Sequence, residues 1–481
     1  MVIESLKYKI LQQFGFAPTQ EQGQALDTFV SFMTDRDPQA VMILRGSAGT
    51  GKTSLSGAIV RTLLQIRQKV MLLAPTGRAA KVFSLGSGAP AYTIHRRIYR
   101  EKAFAGVDGQ FSLNDNLYTD TLFMVDEASM IANMGLGGTT FGSGCLLDDL
   151  VKFVYQGHND RLLLIGDKAQ LPPVGEEESP ALSASVMEGY GLKVYECDLN
   201  EVLRQSQSSG ILYNATLIRQ MITHDAVTGL PLIRFKGFAD IVMMPGAELV
   251  ESLGDSYHHV GMDETMVITR SNKRANIYNN GIRNMVLDRE EELSSGDMLM
   301  IVKNNYFWTE KEKKESGEGS AGAVPAFLAN GDRAKVLRVS NYIELYGFRF
   351  ATLLLQLPDY DDYEMQVTGM LDTLQSEAPA LTHEQQEELF RQVEEDYQHF
   401  VPLKADRMKS IRQDAYFNAL QIKYAYAVTC HKAQGGQWAH VYVDQGYMTD
   451  DMLTPDYIHW LYTAFTRATD KLFLVNWPKE Q

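Results

Sequence analysis

The sequence predicts an α/β protein of two parallel-sheet units, the second interrupted by a small antiparallel barrel. Short apolar runs of strand length alternate with longer helical patterns, and a segment of different texture divides the second set of runs. In addition, 481 residues exceed what one hydrophobic core usually supports.

The first set of runs is Val41 to Leu44, Val70 to Ala74, Leu122 to Val125 and Leu162 to Ile165. Each is bounded by turn or loop residues, as buried parallel strands under covering helices are. The second set is Met266 to Thr269, Val441 to Val443 and Leu472 to Val475. Between its members, Asn330 and Gly331 mark a turn, and Ala334 to Leu357 is rich in alternating apolar residues, which suits the barrel. Thr382 with Gln385 then reads as a capping box, after which Leu389, Phe390, Val393, Tyr397 and Phe400 fall on one helical face. The expected division is 1–230 for the first unit, 231–300 with 421–481 for the second, and 301–420 for the insert of barrel plus helical segment. Two glycine-rich stretches, Gly135 to Gly144 and Ser316 to Gly322, hold too little apolar area to fold alone and are expected as loops.

Hydrophobic residues at 45% and charged residues at 22% match ordinary globular usage and argue against a disordered or fibrous chain. No run approaches the roughly 18 apolar residues of a membrane span, and the first residues carry no signal-peptide core, so a cytoplasmic protein without a membrane partner is expected. Cys145, Cys197 and Cys430 are too scattered for a zinc site or a disulfide framework. A net charge of -15 counts against electrostatic coating of nucleic acid but is compatible with a local cationic groove.

Gly46-Ser47-Ala48-Gly49-Thr50-Gly51-Lys52-Thr53 follows the strand at Val41 to Leu44 and opens the helical segment Ser54 to Leu64. This is the context a phosphate-binding loop requires. Gly46, Gly49 and Gly51 let the backbone wrap phosphates, Thr50 adds to the same turn, Lys52 offers a cation to the β- and γ-phosphates, and Thr53 offers a hydroxyl to Mg²⁺. Leu122 to Val125 ends in Asp126 and Glu127. Asp126 would hold Mg²⁺ through its water shell, and Glu127 would orient or deprotonate an attacking water.

Leu163 to Val174, which contains Gly166-Asp167-Lys168-Ala169-Gln170, resembles motif III of the superfamily 1 helicases. Other pieces follow in that family's order. Thr19 with Gln22 is similar to the adenine-reading Q motif; Ala74 to Ala80 and Thr93-Ile94-His95 resemble motifs Ia and Ib. Asn200 to Gln205 resembles motif IV, Thr269 to Asn279 the motif after it, and Thr429 to Gly435 and Tyr462 to Ala468 motifs V and VI. Within the superfamily, His431-Lys432-Ala433-Gln434-Gly435 and the inserted barrel resemble the RecD and Dda branch.

The resemblance spans residues 19 to 475. It implies two RecA-like halves with ATP and Mg²⁺ between them, an SH3-like barrel, and a β-hairpin wedge at 88–121 whose Tyr99, Phe104, Phe111 and Tyr118 either stack on a terminal base pair or pack within the hairpin. It also implies that Asp167 and Gln170 couple the γ-phosphate to the DNA groove and that Arg204 and Arg467 face the γ-phosphate. Pro75, Thr76, His95, Thr269, Asn272, Thr429, His431 and Lys432 would line the DNA track. The implied activity is 5′-to-3′ translocation on single-stranded DNA with duplex unwinding, by a monomer engaging duplex junctions and DNA-processing proteins in repair or recombination. The alternative is an ATP-gated binding subunit of a larger DNA-processing complex with little unwinding of its own. A P-loop kinase or small NTPase is disfavoured by motifs V and VI, which lie far beyond the phosphate loop. The acidic stretch from Asp359 to Tyr397 has no role that the sequence assigns.

Overall fold

The computed structural model describes residues 2–105, 108–135, 142–202, 208–223, 229–316, 324–325, 327–401, 403–449 and 452–477. Its first eight strands are β1 (Ala40–Gly46), β2 (Lys69–Ala74), β3 (Ala91–Thr93), β4 (Tyr99–Ala105), β5 (Asp108–Leu113), β6 (Thr121–Val125), β7 (Arg161–Gly166) and β8 (Lys193–Leu199). Six of these form a parallel sheet in the order β3-β2-β6-β7-β1-β8, and β4 pairs with β5 as an antiparallel hairpin. Each of the four expected apolar runs of the first set is a strand of this sheet. Alternation in β1 serves two cores, because successive side chains point to opposite faces. Met42 and Leu44 join Phe29, Leu55 and Leu63 on one side, while Val41 and Ile43 join Leu150 and Phe153 on the other.

The remaining strands are β9 (Ile241–Met244), β10 (Thr265–Thr269), β11 (Met298–Ile301), β12 (Arg333–Leu345), β13 (Phe348–Leu357), β14 (Tyr363–Met370), β15 (Leu420–Tyr424), β16 (Ala427–Thr429), β17 (Trp438–Asp444) and β18 (Ala468–Val475). A second parallel sheet runs β16-β10-β17-β18-β9, and β11 to β15 close into a barrel. The helix Gly210–Thr223, expected within the first unit, buries Ile211, Ala215 and Ile218 in the core of the second. That core is continuous with the barrel interior: Val267 and Val441 share it with Leu299, Val336 and Leu353.

The barrel also reaches beyond the expected 301–420. Its first strand, β11, is a short apolar run like those of the second sheet, and its last, β15, is an alternating strand of only 5 residues, too short to mark a boundary. Within it, β12 turns into β13 at Tyr346 and Gly347, whose φ values of 56° and 75° are those of a tight hairpin turn. Asp297, fully buried, ties barrel to sheet by accepting from Arg283, Arg289 and the Tyr426 hydroxyl.

The capping box at Thr382 and Gln385 is present and starts the helix His383–Gln398. Leu389 and Val393 are buried, with Phe390 and Tyr397 packed beside them. Phe400 departs from the expected face and is 83% exposed, because the helix ends before it. Most of both glycine-rich stretches lies outside the described residues.

Candidate nucleotide cleft and nucleic-acid track

The buried strand β1 delivers the phosphate loop, and the helix Lys52–Gln65 leaves it. Gly49 and Gly51 have φ values of 76° and 81°, where a side chain is strained. A Cβ on Gly46 would lie 2.6 Å from Lys52 Cγ, so glycine is what lets the Lys52 stem fold back until its ammonium donates to the Gly46 carbonyl. No side chain caps the helix at Gly51. Its first amides therefore keep the partial positive charge that favours a phosphate.

The loop is braced from three directions. Thr50 Oγ1 donates to Ser47 O at 2.8 Å. Gln22, 1% exposed, donates to Thr50 O at 3.0 Å while its carbonyl oxygen accepts from Thr19 N–H at 3.0 Å. The side chain expected to read adenine is here committed to a helix cap and to the phosphate loop. Arg219, on the helix Gly210–Thr223, donates to Ser47 Oγ. No motif announced this cation; only its contact across the fold reveals it.

Asp126 and Glu127 follow the fully buried β6. Asp126 N–H donates to Leu73 O at 3.0 Å, and its carboxylate accepts Glu127 N–H at 2.9 Å. Glu127 is held at φ 53°, an unusual conformation for a side-chain-bearing residue. Burial, then the neighbouring Glu127, pushes the Asp126 carboxyl up, and Lys52 opposes them. Two adjacent carboxylates beside one lysine, with the exposed Thr53 opening the helix, make a donor set that suits a hard divalent cation.

After β7, Asp167 is 3% and Gln170 6% exposed. Asp167 accepts from the Tyr462 hydroxyl at 2.7 Å, and the same hydroxyl accepts the Ala48 N–H at 3.0 Å. The buried Gln170 Oε1 has no partner among the described residues and is an acceptor open to a water or hydroxyl. Leu171 N–H donates to Thr463 Oγ1 at 2.8 Å, and Leu171 O accepts from Gln434 at 2.7 Å. Motif III and the phosphate loop of the first sheet thus meet the helix Pro455–Phe465 of the second unit.

Arg467, 2% exposed, donates to Thr463 O, Gly436 O and Thr466 Oγ1 at 3.0, 3.1 and 3.1 Å. These neutral partners take three of the five guanidinium donors and leave the charge unneutralised. Arg204 lies outside the described residues.

The expected track residues divide. Thr76 and Thr93 cap short helices, accepting from Ala79 N–H and Arg96 N–H, and half-buried Pro75 leads into the first. Burial lowers His95 to about 4, which keeps it neutral. Asn272 opens a helix capped by Ser271 and is half-exposed; Thr429, with no cap bond on its hydroxyl, is half-buried, and His431 is exposed. Burial, then Lys423, lowers Lys432 to about 8, and its ammonium donates to Asn330 of the barrel. Thr269 is the exception to the expected track. It is fully buried and donates to Ser271 O at 3.1 Å, so it shapes the strand end and offers no surface to a ligand.

The barrel also touches the first unit. Arg78 lies 3.5 Å from Asp359 and stacks over Trp438, while Lys81 donates to Pro358 O. Asp359 is 3% exposed in its side chain, which gives the start of the acidic stretch a structural use. On the β4–β5 hairpin, Tyr99 donates to Asp149 at 2.7 Å and Phe111 lies 4.7 Å from Tyr306 of the insert, while Tyr118, beyond the hairpin, packs on Phe123. The Phe104 side chain lies outside the described residues.

An AAA domain model matches residues 17–229, and a UvrD-like helicase C-terminal domain model matches residues 424–475. The chain is 30% identical over 157 residues to the ATP-dependent RecD2 DNA helicase of Deinococcus radiodurans, covering 32% of this chain and 18% of that protein. It is 25% identical over 267 residues to the ATP-dependent DNA helicase dda of Enterobacteria phage T4, covering 54% and 55%. Both matches span well under two thirds of the relative. A crystal structure of a Bacteroides Pif1 helicase in complex with ADP-AlF3 and ssDNA is similar over 96% of this chain and 93% of that one, with 13% identity and a TM-score of 0.46. No helix among the described residues is long and apolar enough to cross a membrane.

Proposed function

The chain belongs to the superfamily 1 helicases of RecD- and Dda-like type, and from that premise we propose that it hydrolyses ATP to move 5′ to 3′ along single-stranded DNA and to open duplex ahead of it. The observation that carries this reading is the Tyr462 hydroxyl, shared between Ala48 of the phosphate loop and Asp167. Through it, a helix of the second unit contacts the phosphate loop and the loop after β7 at once. A nucleotide at the phosphate loop therefore lies where its γ-phosphate can alter the fit of the two units, and changing fit is what shifts grip on a strand.

Lys52, the loop amides and the open Lys52–Gln65 helix end would bind the phosphates. Thr53 and Asp126 would hold Mg²⁺, which when bound supplies positive charge to the phosphates. Glu127 would orient the attacking water and accept its proton, and Gln170 Oε1 stands ready to accept a hydrogen bond from that water or from a hydroxyl. Arg467 and Arg204 would offer planar cations to the transferring group. Thr76, His95, Asn272, Thr429, His431 and Lys432 would contact the strand, with the hairpin at the duplex junction.

Polarity rests on the resemblance to the RecD and Dda branch, since a closing cleft serves either direction. Two duplexes of equal length, one with a 5′ tail and one with a 3′ tail, test it under single-turnover conditions with ATP and Mg²⁺. The 5′-tailed duplex should open faster. Preferential opening of the 3′-tailed duplex would overturn the polarity, and ATP turnover without opening of either would favour a binding subunit.

A further inference from the structure

The loop after β7 is held by the second unit through one helical face. His459, Tyr462 and Thr463, spaced three and four residues apart, all meet it: His459 Nδ1 lies 3.0 Å from Ala169 O, Tyr462 donates to Asp167, and Thr463 accepts from Leu171 N–H. This spacing aligns them along one side of the helix Pro455–Phe465. Of the three, Tyr462 has the further contact, because its hydroxyl also accepts Ala48 N–H at 3.0 Å.

Tyr462 is 1% exposed. Asp167 is poorly placed to find water if the hydroxyl withdraws: it is 3% exposed, and its other carboxylate oxygen is already engaged by Ala169 N–H at 3.0 Å, whereas Ala48 on the loop rim is half-buried. Small movements of the helix therefore exchange a satisfied arrangement for one with a buried carboxylate oxygen unpaired, a preference steep in distance and angle.

We propose that Tyr462 is a positioning residue for ATP turnover: its hydroxyl fixes the Asp167 carboxylate and the rim of the phosphate loop only when the helix of the second unit is seated, so that cleft closure and chemistry are coupled through one phenol. This rests on the ATPase reading given above. Burial, and then Asp167, hold the phenol well above its ordinary range, so it remains a neutral donor at any working pH. A neutral group suits the role, because it can be seated and unseated without moving a charge out of water.

The test uses the full chain and Tyr462→Phe, which keeps the ring and removes the oxygen. With ATP, Mg²⁺ and saturating oligo(dT), kcat should fall about tenfold while KM for ATP stays within about twofold. Tyr442→Phe is the control. Its hydroxyl is shared with Ser252 and Ser256 inside the second unit, away from the cleft, so it should lower Tm and leave kcat unchanged. Adding Tyr462→Phe to Asp167→Ala should slow turnover no further than Asp167→Ala alone.

Parental kcat in Tyr462→Phe, a loss confined to KM, an equal fall in kcat for Tyr442→Phe, or additive losses in the double variant would each overturn the proposal. A parent chain with no ATP turnover would overturn the ATPase reading itself. A parent with normal turnover beside an unaffected Tyr462→Phe would overturn only the role of the phenol.

Discussion

Asp332 at the foot of β12 gives a stability prediction with a definite pH dependence. Its carboxyl is fully buried; Oδ2 accepts from the Tyr360 hydroxyl at 2.6 Å and from Ala329 N–H at 2.7 Å, while Oδ1 is buried without a partner among the described residues. A Cβ on Gly77 would lie 2.4 Å from that oxygen, which places the carboxyl where the barrel meets the helix Gly77–Ser87. Burial raises it from 3.8 to about 7. Below about pH 4 both folded and unfolded chains hold the proton, and the group causes no loss. Between about pH 4 and pH 7 only the unfolded chain releases it, so stability falls by about 1.4 kcal/mol per pH unit, and above that range the loss is constant. The bound is about 4 kcal/mol, reduced in practice by relaxation around the site. Asp332→Asn keeps an acceptor for Tyr360 and Ala329 and removes the titration. Thermal and urea melts at pH 5 and pH 8 should show the variant more stable than the parent, with the larger gain at pH 8. An equal gain at both pH values, or a variant less stable at pH 8, would refute the buried, raised carboxyl.

Glu127→Gln should bind ATP and hydrolyse it at least about a hundredfold more slowly, since shape is kept and only the base or orienting charge is removed; equilibrium nucleotide binding beside single-turnover hydrolysis checks this, and parental hydrolysis would remove Glu127 from the mechanism. Arg467→Ala should lower kcat and also lower Tm, because it removes the guanidinium donors to Thr463 O, Gly436 O and Thr466 Oγ1, of which, among the described residues, Thr463 O alone keeps another, from the Thr466 hydroxyl. A rise in KM alone, with Tm unchanged, would contradict both effects.

What the sequence made legible was local. The main strands are continuous apolar runs, and the phosphate loop is a contiguous pattern whose strand and helix can be recognised around it. Strands such as β3, β9 and β16 are too brief to show a period and exist by pairing with longer neighbours. The contact between Ala48 and Tyr462 joins residues 414 positions apart, which no motif spacing can express, although Tyr462 itself opens a recognised motif. Arg219 and Asp332 sit in no motif, and in an acidic stretch nothing separates Asp359, buried against Arg78, from the solvated acids that follow it. Thr269 is expected at the track only because it opens the stretch to Asn279 that resembles a motif touching DNA, yet strand ends are also where a hydroxyl can be turned inward to satisfy backbone carbonyls.

The two seams of the molecule are built from different chemistry, and the difference bears on what each can do. At the cleft, hydroxyls, amides and carbonyls form most of the contacts: Tyr462, Thr463, Gln434 and His459 against Ala48 and residues 167–171. Such contacts are selective in geometry, and none of them is an ion pair, so opening the seam separates no two opposite charges. Between barrel and first unit the contacts are charged: Arg78 with Asp359, and Lys81 beside Asp359, with Arg78 also stacked over Trp438 of the second sheet. Asp359 is buried, so separating these groups strands charge in a poorly solvated seam unless both sides are rehydrated. A seam of the first kind can open and close at each turnover, whereas one of the second kind favours staying shut. Salt and pH therefore act chiefly on the seat of the barrel, and removal of a single hydroxyl acts chiefly on the cleft.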